Sequence, residues 1–199
     1  PGQKNVFKNM SAPEDHYVID EPYPTITTRN AENDYSTGYA IRKGGTFDKA
    51  NTGNGNCYNA AEIFRATEAL LNYMEAEYML TNSLSGKVLE YWKDVRKAAG
   101  FTGDAVIPHV SIDATEMSKE TADWGSYSAG KQLTDKILYN IRRERRCELI
   151  SEGLRGMDLQ RWRSYDQLMT TPAHMEGIHL WNTPMQSWYN NLNADGSSN

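Results

Sequence analysis

The sequence predicts a mainly α-helical protein with little strand, and three observations support this fold class. Apolar residues recur with helical spacing in three stretches, 59–80, 85–99 and 134–150. Neither proline nor glycine interrupts the first stretch, and typical cap residues stand where the helices should begin or end. The connection between the first two stretches is only a few residues long. We therefore expect helices packed side by side, flanked by loop-rich segments.

The composition is typical of a globular chain. Of 199 residues, 39% are hydrophobic and 24% are charged, and the net charge is −5. A net negative chain does not attract nucleic acid or an anionic membrane surface, so neither is an expected partner. No apolar run approaches the ~20 residues that a membrane-spanning helix needs.

Residues 1–56 are expected to form a loop-rich segment with one short strand. Asn, Gly, Thr and Asp are frequent there, and the stretch 38–43 could form the strand, with Tyr39 and Ile41 on one face. Three prolines exclude a continuous helix: Pro13, Pro22 and Pro24.

Two helices should follow as an antiparallel hairpin. Asn59 and Glu62 have the spacing of a capping box, which predicts that the first helix starts there. This helix is apolar most of the way round, so we expect neighbours on several sides. The second helix should follow Ser85 and stop at Gly100. Its expected buried stripe comprises Val88, Tyr91, Trp92, Val95 and Ala99.

The stretch 101–133 shows no clear period and is predicted to be a long connection, of the kind that is usually functional or disordered. A third helix is predicted to begin near Thr134 and to end at Gly153, and a short one to cover 155–163. The remaining segment, 164–199, contains aromatic residues among Pro, Asn and Gly, and we expect it to be truncated.

Residues 141–162, which we call the arginine–carboxylate segment, combine many arginines with acids at helical spacing. A phosphate-binding surface should leave its arginines unneutralised, so this pairing favours a structural ion-pair network. Contact with a partner protein is a weaker alternative, and catalysis weaker still. The expected i,i+3 pairs are Arg145–Glu148, Arg155–Asp158 and Asp158–Arg161.

No catalytic residue, metal ligand or cofactor is predicted. Glycoside hydrolysis needs two carboxylates across a cleft, and nothing here singles out a pair. The four histidines are scattered, and the sequence contains neither HExxH nor GxSxG. Cys57 and Cys147 are far apart and are expected to be buried free thiols.

The arginine–carboxylate segment closely resembles the block ERR-x-EL-x-x-EG-x-R-x-x-DL-x-RW of RagB/SusD proteins. The pattern EAxxxYMEAEY at 68–78 resembles the helix that precedes it in that family, and VRxxAG at 95–100 resembles the end of the following helix. Gly38 and Tyr39 with Lys43 resemble the strand before the helices. The matching residues of the block are Glu144, Arg145, Arg146, Glu148, Leu149, Glu152, Gly153, Arg155, Asp158, Leu159, Arg161 and Trp162.

The resemblance implies a tetratricopeptide-like helical array over 57–163, with 101–133 as a long insertion. It also implies a non-catalytic glycan-binding lipoprotein on the surface of the outer membrane, which delivers ligand to a SusC-like TonB-dependent transporter. Family members are commonly longer and begin with a lipidated cysteine. We therefore expect this chain to be the C-terminal part of such a protein, with the lipid anchor outside it.

A sugar site needs flat, accessible aromatic rings, and five in the loops are candidates: Trp124, Tyr127, Trp181, Trp188 and Tyr189. At about 1 kcal/mol per ring, one ring cannot reach the roughly 4 kcal/mol of millimolar binding, so several would have to converge. For any one of them, packing is the commoner role. Trp92 and Trp162 lie on helix stripes and are expected to pack. The alternatives are a helical-repeat docking module without its own ligand site and, less favoured, a glycosidase.

Overall fold

The structure is a computed structural model that describes Tyr39, Ile41, Lys43, 63–171, 177–179 and 182–183. The chain divides into two compact units. One consists of Glu62–Ala173 and the other of Pro1–Ala61 together with His174–Asn199. The helices and strands of the described residues all lie in Glu62–Ala173, which we call the helical unit.

Helix α1 (Ala66–Thr81) begins later than the sequence predicts. Asn59 lies outside the described residues, but 63–65 are not helical, so the predicted start is wrong. The cause is Arg65, whose extended backbone directs its guanidinium to Glu152 and Glu148 at 2.8 and 2.9 Å. The helix packs against two other helices of the unit, as expected, while Met79 and Leu80 at its end are exposed.

Helix α2 (Gly86–Ala98) follows the prediction closely. Ser85 caps it, since its hydroxyl accepts the Val88 N–H at 3.3 Å. Gly100 adopts a φ of +90°, the left-handed conformation that ends helices at glycine. Val88, Trp92 and Val95 are buried against α1, as the stripe predicts, whereas Tyr91 is half-buried and Ala99 is exposed.

The stretch 101–133 is folded, so the prediction of an irregular connection is wrong. It contains α3 (Pro108–Ala114) and an antiparallel hairpin of β1 (Tyr127–Ser128) and β2 (Lys131–Gln132). Between the strands Ala129 and Gly130 both have positive φ, as a two-residue hairpin turn requires. Elements this short carry too few residues to show a period. The 3₁₀ turns of the stretch are Gly103–Val106, Met117–Lys119 and Trp124–Ser126.

Helix α4 (Lys136–Glu148) and helix α5 (Arg155–Arg161) confirm the predicted third and fourth helices. Asp135 caps α4 by accepting the Ile137 and Leu138 N–H groups. Gly153, at φ +78°, separates the two helices as expected. A further turn, α6 (Gln167–Thr170), extends the helical unit beyond them. The apolar core joins α1, α2, α3 and α4 through Leu71, Met74, Tyr78, Val88, Trp92, Val95, Ile112, Ile141 and Leu149.

The predicted strand at 38–43 is not observed at its described positions. Tyr39 and Ile41 have no regular secondary structure, and Lys43 lies in a turn. Both apolar side chains are about two-thirds exposed, at 64% and 66%, so they do not form the buried face of a strand.

Two buried tyrosines bind carboxylates and tie loops to helices. The Tyr139 hydroxyl donates to Glu120 at 2.7 Å and to Asp123 at 3.1 Å, which anchors the stretch 101–133 to α4. The Tyr78 hydroxyl donates to Asp135 at 2.8 Å and so links α1 to the start of α4. The pKa of both phenols is raised well above the usual 10. The larger cause is burial, and the second is the interaction with these carboxylates.

These tyrosines predict an alkaline loss of stability. Above pH 10 the unfolded chain ionises its tyrosines while folded Tyr139 keeps its proton, so the unfolded state binds fewer protons. The free energy of unfolding should therefore fall with rising pH, by up to about 1.4 kcal/mol per pH unit for each such group. Urea unfolding from about pH 8 to about pH 11 measures this slope. Tyr139→Phe should lower the slope, whereas Tyr165→Phe, at an exposed position, should leave it unchanged. Equal slopes in all three proteins would rule out this role for Tyr139.

Candidate functional site

The arginine–carboxylate segment forms a charged core between α1, α4 and α5. Arg145, which is 4% exposed, binds both oxygens of Asp158 through Nε at 2.8 Å. Its Nη1 donates to Asn72 at 2.7 Å, and Glu68 lies within ion-pair distance at 3.8 Å. One guanidinium thus holds three helices together.

Glu75 is the second centre of this charged core. It is 3% exposed, accepts the Trp162 indole N–H at 2.7 Å and pairs with Arg161. The Arg142 guanidinium lies 4.6 Å from the centre of the Trp162 ring, in cation–π geometry. Burial lowers the pKa of Arg142 to about 10, although Glu75 opposes the shift. Trp162 and Trp92 are both buried, which confirms their predicted packing role.

Further arginines connect the rest of the helical unit. Arg96 binds Glu144 through two nitrogens and also donates to the Ala105 and Ile107 carbonyls. Asp123 pairs with two more arginines, Arg146 at 2.6 Å and Arg155 at 3.1 Å.

Most of the ion pairs therefore differ from the local pairs that the spacing predicts. Asp158–Arg161 forms as expected, at 2.9 Å. Arg145, however, pairs with Asp158 instead of Glu148, and Arg155 with Asp123 instead of Asp158. Helical spacing shows which charges share a surface but not which distant element will meet that surface. The structural role of the segment is confirmed, because its buried arginines are neutralised within the fold.

The aromatic candidates are only partly within the described residues. Trp124 and Tyr127 lie close together in sequence, in the 3₁₀ turn and in β1, and both are half-buried. Their polar groups are used internally: the indole N–H of Trp124 donates to the Thr171 carbonyl at 2.6 Å, and the Tyr127 hydroxyl to the Thr121 carbonyl at 3.0 Å. The two residues can therefore stack their ring faces against a ligand, but they can form few hydrogen bonds with it. The other three candidates, Trp181, Trp188 and Tyr189, lie outside the described residues.

The helical unit also contains a groove of about 360 Å³ that sequence reasoning missed. We call it the Phe101 groove; its wall residues include Arg96, Phe101, Ser111, Asn140, Arg143 and Cys147. The residues come from the end of α2, from α3 and from one face of α4. A signal was present on α4, where polar residues at 140, 143, 144, 147 and 148 share a helix face. The contributions of Phe101 and Ser111 could not be seen without the packing of α2 and α3.

The expectation that Cys147 is buried is wrong. It is an exposed free thiol, since it lies on the groove face of α4 instead of the core face. Cys57 lies outside the described residues.

In the described part of the chain, no set of His, Cys, Asp and Glu side chains has the arrangement of a metal site. Within those same residues, no helix combines the length and the apolar character needed to cross a membrane.

The comparisons identify the class of protein. Residues 7–195 match the SusD family, so the chain belongs to it, as the arginine–carboxylate segment predicts. No curated protein and no solved structure matches the chain. The helical unit fits the tetratricopeptide-like scaffold of this family and confirms the predicted mainly α fold class. SusD-family proteins in general bind glycans for nutrient uptake without catalysis, work with SusC-like transporters and are outer-membrane surface lipoproteins.

The charged core predicts a graded series of stability losses. Asp158→Ala leaves buried Arg145 without its partner and should cost about 3–5 kcal/mol. Glu148→Ala removes a partly buried partner of Arg65 and should cost about 1.5–3 kcal/mol. Glu90→Ala, in an exposed pair with Lys87, is the control and should change stability by less than about 1 kcal/mol. Urea unfolding followed by circular dichroism measures all three. Equal urea midpoints for the three variants would contradict the structural role of the charged core. A Glu148→Ala protein that keeps full stability but loses ligand binding would contradict it too.

Proposed function

We propose that this protein binds oligosaccharides or polysaccharides at the cell surface and delivers them to a SusC-like TonB-dependent transporter in the outer membrane. The observation that carries the proposal is the SusD-family match over residues 7–195. The proposed localisation is the outer face of the outer membrane, where a lipid anchor would hold the protein as it holds other members of the family.

The charge distribution supports binding without catalysis. The buried carboxylates of the charged core, Glu75 and Asp158, are each bound by arginine, and Asp123 binds two arginines. A glycosidase needs one carboxyl group that can give up a proton and a second that acts on the substrate. Carboxylates fixed in arginine pairs are poorly suited to either task, so the proposed role is capture of the glycan.

Aromatic rings are the proposed contacts. Trp124 and Tyr127 already bind backbone carbonyls through their polar groups, so their contribution would be stacking. With about 1 kcal/mol per ring, two rings fall short of the roughly 4 kcal/mol of millimolar affinity. The proposal therefore retains Trp181, Trp188 and Tyr189 as further ligand-binding residues.

Calorimetric titration of the protein with a panel of oligosaccharides tests the proposal. Trp124→Ala and Trp188→Ala should each weaken binding about fivefold, the equivalent of ~1 kcal/mol. Tyr73→Ala is the matched control, because Tyr73 is a 40%-exposed aromatic on α1 outside the proposed contacts.

Two outcomes would reject glycan capture. If no saccharide binds, a helical docking module that contacts only a partner protein would be favoured. If the bound oligosaccharide is hydrolysed at a rate that follows protein concentration, the protein is an enzyme.

A further inference from the structure

We propose that the Phe101 groove is a second ligand site, which binds one acidic sugar unit with its anionic group on Arg143. That the ligand is a sugar rests on the proposed function, whereas the preference for an anion is inferred from the charged side chains of the groove alone.

The ion pairs of the groove leave one of its arginines, Arg143, without a carboxylate partner among the described residues. Arg96 is paired with Glu144 at 2.8 Å, and Glu148 with Arg65 at 2.9 Å. Within the described part of the chain, no carboxylate lies at ion-pair distance from Arg143, although it lines the same groove. The two arginines and two glutamates of the groove balance in formal charge, but Glu144 and Glu148 are both held in ion pairs, so the Arg143 guanidinium is the charged group left for an anion.

The local charge, and not the net charge, should decide what enters the groove. At physiological ionic strength, exposed charges more than about 8 Å apart are largely screened from each other. The acids elsewhere on the molecule therefore repel an anion in the groove only weakly, and the two in its wall, Glu144 and Glu148, are each bound by an arginine. A guanidinium within it can bind a carboxylate through two parallel hydrogen bonds.

Phe101 supplies a ring surface at the mouth of the groove. Its N–H donates to the Arg96 carbonyl at 3.0 Å, and Gly100 in its left-handed conformation turns the chain there. The Arg96 guanidinium lies 5.8 Å from the centre of the ring, and 47% of the residue is still exposed. A half-exposed ring that is fixed on one side is suited to stacking against the apolar face of a sugar.

Two polar side chains of the groove wall can serve the hydroxyls of such a ligand. Asn140 is 2% exposed and uses both amide hydrogens within the protein, on Thr115 and on the Lys136 carbonyl, so its oxygen is the group left to accept a bond. The Ser111 hydroxyl accepts from Arg96 at 3.0 Å and retains its own proton to donate. A volume of about 360 Å³ is at the small end of ligand pockets and suits one sugar ring with its substituents.

Cys147 makes the site measurable, because this exposed thiol lies in the groove wall. In a Cys57→Ser background it is the sole cysteine of the chain. The experiment follows the rate at which an uncharged maleimide modifies Cys147 while galacturonate, a galactose sulfate ester, galactose or acetate is titrated. Galacturonate should slow the reaction several-fold and saturably, whereas galactose and acetate should have little effect. Comparison with the sulfate ester shows which anionic group is accepted.

Arg143→Gln should raise the galacturonate concentration for half-protection about tenfold or more. Arg163→Gln, the same change at an exposed arginine outside the groove, should leave it unaltered.

Absence of protection by either acidic sugar would overturn the site, and equal protection by galactose would overturn the preference for an anion. If protection survives in Arg143→Gln, the assignment of Arg143 is wrong. Failure here leaves glycan capture intact if Trp188→Ala still weakens oligosaccharide binding, so the two proposals fail separately.

Discussion

The pairing of Arg145 with Asp158 is the constraint on which the helical unit depends. Both side chains are nearly inaccessible to water, at 5% exposure each, and they lie 2.8 Å apart. Removing two charges from water costs several kcal/mol per ion, so this arrangement is tolerable only when each remaining hydrogen-bonding group is also satisfied. Asn72, Glu68 and Arg161 meet that demand, and in doing so they fix how α1, α4 and α5 approach one another.

This constraint explains why a family signature can be dense in charge and yet not be a binding site. Within the charged core, arginines bind carboxylates or stack on Trp162, so little of their charge reaches a ligand. The same reasoning gives significance to Arg143, which lies in the same helix and faces the groove instead of the core. Function in this unit should be sought where the charge pairing is incomplete.

Sequence reasoning succeeded where a pattern is local. The buried centre of the α2 stripe, the Ser85 cap and the glycine that ends the helix are all encoded within a few residues, and each is observed. It failed where a distant partner decides the outcome. Arg65 precedes α1 in an extended conformation, and its partners lie at the end of α4 and in the segment that follows it, more than 80 positions away. The folded stretch 101–133 was missed for the same reason, since Tyr139 and the arginines that hold Asp123 come later in the chain.

The bond between Trp162 and Glu75 also bears on the order in which the unit can assemble. The two residues are 87 positions apart, and closing a loop of that length costs about 4 kcal/mol of chain entropy beyond a constant term. The hairpin of α1 and α2 can form from neighbouring sequence alone. Glu75, however, stays without the Trp162 indole and the Arg161 guanidinium until α5 has been synthesised and has docked. The charged core is therefore completed late, and a chain that stops before Arg161 would leave the buried carboxylate of Glu75 without two of its partners, Arg161 and Trp162.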